Sequence, residues 1–256
     1  MRPAAIVPAY QAAPLVGEVV ETLLSLWPES DAVWVIDDGS TDSTAERAEQ
    51  AGAQVIRHRR NRGKGAALRT GMRAALERGF DVAVTLDADA QHPPAEALRL
   101  HQMCPDPSAL VLGIRDLSGA GAPRANQYSN AFSNLVLSGF TGRWLQDTQC
   151  GLRRYPIAAT LALGGQEDGY GFEAEILIRA TSNDMPIVEL PIEVVYPPEQ
   201  ERISHFDSVR DPARIVVRVL RTVAATRARW LGDRISPAAP GARRHASRSA
   251  PRSTGE

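Results

Sequence analysis

The sequence predicts an α/β protein built on a doubly wound, mainly parallel sheet. In the first half of the chain, short apolar runs alternate with longer segments of helical period. Two of those runs end in acidic turns, Asp37-Asp38 and Asp87-Ala88-Asp89. The chain has 256 residues, 43% of them apolar, which is enough to bury the core of one sizeable α/β domain.

Residues 4–8 read as the first strand, followed by a loop and a helix over about 14–26. Residues 32–36 form a second strand that ends at Asp37-Asp38-Gly39-Ser40. A helix follows to about Gln50, with Asp42 or Ser43 as its N-cap. Residues 54–57 are a third strand. The helix over about 63–78 carries Ala67, Leu68, Met72 and Ala75 on one side. Residues 81–86 feed the acidic loop, and Pro93-Pro94 opens the next helix. This βαβαβαβ order implies a sheet whose ligands bind at the carboxyl ends of the strands.

The second half is less regular. Residues 110–114 read as a strand ending at Arg115-Asp116, and the Gly-rich stretch 118–122 as a mobile loop. Helices are expected over 126–140, 172–182 and about 211–232, a turn and short strand over 147–155, and an extended segment over 187–196. The expected domain covers residues 1–232. Residues 233–256, rich in Arg, Pro and Ser, read as a disordered tail.

Formal net charge is −1, so no global basic field points to nucleic acid. The two cysteines, Cys104 and Cys150, cannot build a disulfide framework or a four-thiolate metal site and read as reduced cytosolic thiols. Neither a signal peptide nor an apolar run long enough to span a membrane is expected.

The acidic loop carries the chemistry. Alternate residues of an extended chain point the same way, so Asp87, Asp89 and Gln91 can converge on one point. Carboxylate and carbonyl oxygens suit a hard cation, Mg2+ or Mn2+, which would bridge the protein to a substrate diphosphate. A solvated surface turn is the plainer reading. Asp37-Asp38 reads either as a nucleoside contact or as turn chemistry. Asn61-Arg62-Gly63-Lys64-Gly65 departs from the P-loop spacing, yet it opens a helix, and a helix N-terminus suits an anion. Asp147 reads as a base or as an Asx-turn. Glu173 and Glu175 read as functional carboxylates or as residues favoured by the helix dipole. His205 reads as structural or as a contact to metal or diphosphate. Arginines on the helix 211–232 read as a packed helix's outer face, with contact to an anionic bilayer as a second role.

Taken together, these segments resemble a family 2 glycosyltransferase of the dolichyl- and polyprenyl-phosphate mannosyl- or glucosyltransferase branch. The resemblance covers about residues 3–222. It rests on Ile6-Val7-Pro8-Ala9-Tyr10, Val35-Ile36-Asp37-Asp38-Gly39-Ser40, Asn61 through Gly65, Asp87 through Pro93, Asp147 through Arg153, and Phe172 through Leu177. It implies a GT-A fold, a GDP- or UDP-hexose donor, a divalent metal and a lipid acceptor met at the inner face of the membrane. It assigns Pro8, Tyr10, Ile36 and Asp38 to the nucleoside. Asp87, Ala88, Asp89 and Gln91 fall to metal and diphosphate, and Arg115 to the donor. Lys64 and His205 join the donor-binding set, and Asp89, Asp147 and Glu173 the catalytic set. The chain departs from the pattern at Gln11-Ala12, where relatives continue Asn-Glu, and at Ser204-His205, where they carry Ser-Lys. Transfer to a hydroxyl, sugar nucleotidyl transfer and a non-catalytic membrane-surface scaffold stand as the alternatives.

Overall fold

The computed structural model describes residues 1–196. His205, the helix expected over 211–232, the tail 233–256 and the boundary between them lie outside the described residues.

Strands β1 (Pro3–Ala9), β2 (Val33–Asp37), β3 (Gln54–Arg57) and β4 (Val82–Thr85) alternate with helices α1 (Val16–Leu26), α2 (Thr44–Gln50) and α3 (Lys64–Glu77). Then come α4 (Pro94–Met103), β5 (Leu110–Arg115), α5 (Arg124–Thr141), β6 (Arg153–Pro156), α6 (Ile157–Ala162), α7 (Gly171–Ser182) and β7 (Ile187–Ile192). The strands form one sheet in the order β3-β2-β1-β4-β6-β5-β7. All neighbours are parallel except β6, which runs antiparallel to both β4 and β5.

Strands β1, β2 and β4 are almost wholly buried, which explains their continuous apolar sequence. Helix α3 packs on β1 and β2, while α1 packs beside α2 and α4. The chain moves outward from β1 to β3 and then crosses back to β4. With right-handed crossovers, that reversal puts α3 on the face opposite α1 and α2. Contact between α3 and the sheet is tight. A Cβ at Gly71 would lie 2.7 Å from Ile6 Cγ2 and 3.1 Å from Ile36 Cγ1.

Three features differ from the sequence expectation. Helix α6 was not expected, because its six residues are too short to show a period. The capping carboxylate of α2 acts from one residue farther out. Ser43 occupies the N-cap without a side-chain bond, and Asp42 Oδ1 accepts the Thr44 N–H at 3.1 Å. The Gly-rich stretch is a bonded turn: Asp116 Oδ1 accepts Gly119 N–H and the Ser118 hydroxyl, both at 2.9 Å.

Candidate functional site

A cavity of about 660 Å³ opens beyond the carboxyl ends of β1 and β4, where the strand order reverses. Pro8 helps to open it. Ala5 and Ala9 bond toward β2, through Ala5 N to Ala32 O and Asp38 N to Ala9 O. Ile6 O instead takes Leu86 N on the β4 side. Pro8 therefore turns its missing N–H toward β4, past the last β1–β4 pair at Ile6 and Thr85, where no ladder bond is lost. Tyr10 follows at the rim. Gln11, with φ of 52°, ties the loop to α2's approach by accepting Thr41 N–H at 2.9 Å.

Asp38 lines the cavity but spends its oxygens on the protein. Oδ2 accepts Gly63 N–H at 2.6 Å, both oxygens accept Arg62 N–H, and His58 Nδ1 lies 2.6 Å from Oδ1. These bonds hold the loop that starts α3. Gly63 has φ of 98°, and a Cβ there would collide with Asp168 O, so only glycine fits. The result is to deliver Lys64, the first residue of α3, into the cavity wall.

Lys64 joins two sequence-distant carboxylates. Its Nζ is 2.6 Å from Asp87 Oδ1 and 3.2 Å from Glu173 Oε1, the latter an ionic contact without hydrogen-bond geometry. Burial disfavours the ammonium, but the two carboxylates outweigh it and raise the Lys64 pKa. Burial likewise pushes Asp87 upward, and the Lys64 charge and hydrogen bond more than offset that, leaving its pKa lowered. Asp89 goes the other way. Burial, then the neighbouring Asp87 charge, push it up to about 6. Ala90 holds a φ of 57°, which turns the chain so that Gln91 N–H donates to Asp89 Oδ1 at 3.1 Å. His92 is buried with no partner on Nδ1, and burial lowers its pKa to about 4, so it is neutral.

The described residues contain no group of three or more His, Cys, Asp or Glu side chains that would cage a metal unaided. Mg2+ commonly takes one or two carboxylates and completes its shell with substrate phosphates and water. Asp87 and Asp89, with Gln91 beside them, offer that partial set of hard oxygens on the cavity wall. Burial raises Asp89 first and the Asp87 charge second, and a cation would relieve the second.

Asp147 lies behind Arg115 rather than on the cavity wall, and it is 1% exposed. Both its oxygens are gripped by Arg115, Nε to Oδ2 at 2.7 Å and Nη2 to Oδ1 at 2.9 Å. Ile36 is also out of place for a nucleoside contact. Its side chain is buried against α3 rather than in the cavity. The structure brings Pro8, Tyr10, Asp38, Lys64 and Arg115 together at the cavity with Asp87, Ala88, Asp89, Gln91 and Glu173. Glu175 instead caps a loop, accepting Gln166 and Glu167 N–H groups at 2.8 Å each.

The contribution of α5 went unforeseen. Its Asn126 and Ser133 line the cavity with Thr148 and Gln149 of the turn before β6 and with Tyr196 beyond β7. Helix α5 supplies the scaffold from its inward side. Asn134 Oδ1 accepts Thr148 N–H at 2.8 Å, and Ser133 Oγ meets Thr148 Oγ1 at 2.8 Å. Buried Arg153 then fixes the turn by donating to Thr148 O, Cys150 O and Glu173 O. The available signal was the helical spacing of polar residues at 126, 129, 130, 133 and 134.

Residues 4–156 match the family described as Glycosyl transferase family 2. An undecaprenyl-phosphate mannosyltransferase of Micrococcus luteus is 31% identical over 245 residues, covering 91% of this chain and 98% of the relative. A UDP-N-acetylglucosamine–dolichyl-phosphate N-acetylglucosaminyltransferase of Methanococcus voltae is 31% identical over 215 residues, covering 75% and 84%. Among solved structures, glucosyl-3-phosphoglycerate synthase of Mycobacterium tuberculosis, in complex with Mn2+, uridine-diphosphate and phosphoglyceric acid, aligns with a TM-score of 0.67. It is 18% identical and covers 88% of this chain and 78% of that one, a likeness of fold. The sheet is that of a GT-A glycosyltransferase, and the chain belongs to glycosyl transferase family 2.

Proposed function

We propose that this enzyme moves a hexose from GDP- or UDP-hexose to a polyprenyl phosphate at the membrane surface, inverting the anomeric carbon. The observation that carries the acceptor class is the lack of a free base on the cavity wall among the described residues. Asp147 is paired with Arg115, Asp87 and Glu173 are paired with Lys64, and in this reading Asp89 would be taken up by the cation. A hydroxyl acceptor needs its proton removed. A phosphate monoester, with a second pKa of about 6, arrives largely ionised and needs no such group.

In this reading the nucleoside lies against Pro8 and Tyr10, and the diphosphate reaches Asp87 and Asp89 with Mg2+ or Mn2+. When bound, the cation neutralises charge building on the leaving diphosphate. Lys64 keeps Asp87 ionised and oriented for that task. Arg115 presents a cationic edge to the cavity while Asp147 holds it in place. The relatives' names support a lipid phosphate acceptor, and the Mn2+ in a neighbour's structure supports the metal. They favour transfer over the nucleotidyltransferase and scaffold alternatives. No helix of the described residues is long and apolar enough to cross a membrane.

The test offers GDP-mannose, UDP-glucose and UDP-N-acetylglucosamine with Mn2+, each against undecaprenyl phosphate and against hydroxyl acceptors. Formation of a sugar-phosphate-lipid product is the expected result. Transfer confined to hydroxyl acceptors would overturn the reading.

A further inference from the structure

We propose that the outward face of α5 is the surface through which this protein sits on an anionic bilayer. Its buried side is largely polar, carrying Ser129, Asn130, Ser133, Asn134 and Ser138 beside the apolar Leu137. Its outward side carries Tyr128, Phe132 and Leu135, at 74%, 51% and 61% exposure. Their spacing of four and then three residues places them in one stripe. Trp144, 68% exposed, follows just past the helix end. A contiguous exposed apolar patch of this kind marks an interaction surface.

The charge pattern chooses the occupant. Between Asp116 and Asp147 there is no Asp or Glu, and the charged residues are Arg124 and Arg143, one at each end of α5 and both exposed. The other exposed positions on the face include Ala125, Ala131 and Gly139. A protein partner would ordinarily meet a polar rim able to exchange hydrogen bonds. This face offers aromatic rings flanked by cations. Tyr and Trp favour the headgroup level of a bilayer, and arginines favour anionic headgroups.

The placement suits the chemistry. Asn126 and Ser133 line the cavity from the opposite side of the same helix, so a bilayer docked on α5 lies one helix away from it. The sequence had pointed instead to the arginines of residues 211–232. The proposal deepens the lipid-acceptor reading, but its test measures membrane binding without turnover, so either can fail alone.

The test is co-sedimentation of the full chain with phosphatidylglycerol-containing vesicles and with pure phosphatidylcholine vesicles. Phe132→Glu/Leu135→Glu should weaken binding to the anionic vesicles by about tenfold or more. Its circular dichroism and melting should stay unchanged, because both side chains are exposed. Arg124→Gln/Arg143→Gln should lose the preference for anionic vesicles. As a second measure with the native face intact, brominated lipid should quench the fluorescence of a Trp230→Phe variant, and adding Trp144→Phe should remove that quenching. Equal vesicle binding by the Glu variant and wild type, with no Trp144-dependent quenching, would overturn the proposal. So would a wild-type dimer that ignores vesicles and dissociates on Phe132→Glu, since the occupant would then be a second copy.

Discussion

Arg115 and Asp147 clasp each other through two parallel hydrogen bonds, and Asp147 also accepts the Arg115 backbone N–H at 3.2 Å. The pair joins the end of β5 to the turn before β6. Such a bidentate grip makes the carboxylate a support for the guanidinium.

Asp147→Asn should therefore cost stability, about 3 kcal/mol, because it leaves a buried cation without its counter-charge. Urea denaturation measures this. Activity should fall through weaker donor binding, with KM rising more than kcat falls. Unchanged stability with a collapse of kcat alone would restore Asp147 as a base.

Lys64→Met should destabilise the fold by about 3–5 kcal/mol, since it strands Asp87 and Glu173 together. The pH dependence follows in sign. Asp87 has a lowered folded pKa, so its contribution is present above the unfolded value of about 3.9 and is lost as pH falls through the folded pKa. Lys64 is raised, so its contribution holds through the neutral range. Wild type should lose more stability than Lys64→Met on acidification below about pH 4. Parallel acid limbs for the two proteins would contradict the pairing.

Gly151 runs its backbone against this ion pair. A Cβ there would press on Asp87 Oδ2 and lie 2.8 Å from Lys64 Nζ. Gly151→Ala should swing the Asp87 carboxylate and lower kcat/KM by up to about 10²-fold, with a smaller change in melting temperature. Steady-state kinetics beside a thermal melt would check it. Wild-type kinetics would show that Asp87 need not stay where it is.

Cys150 is fully buried, and burial pushes its thiol up to about 12; Cys104 is buried as well. Neither should react with an aromatic disulfide reagent at pH 8 until the protein is unfolded. Rapid stoichiometric modification of the native protein would contradict their placement.

Much of the sheet was legible because β1, β2 and β4 are buried on both faces, which forces continuous apolar runs between helix-period segments. The acidic loop was legible for a related reason. A strand that ends in Asp-Ala-Asp exposes its polar residues only at the carboxyl edge. Roles set by tertiary pairing were not legible. Asp147 and Arg115 lie far apart in sequence, and nothing local announces that one occupies the other. Ile36 lies two residues before Asp38, yet it falls inside β2 and packs against α3 at Gly71, whereas Asp38 lies past the strand end. Helix α5 misled in the opposite sense. Its polar residues face inward to bond the 146–149 turn, a pattern that hydropathy alone assigns to solvent.

The central claim is that Asp87 and Asp89 bind a nucleoside diphosphate through a divalent cation. Calorimetric titration of GDP and UDP into wild type and Asp89→Asn, each with and without Mn2+, tests it most directly. The account predicts binding of at least one nucleotide by wild type that requires Mn2+ and is lost in Asp89→Asn while the fold persists. Equal binding by both proteins, or binding indifferent to Mn2+, would contradict it.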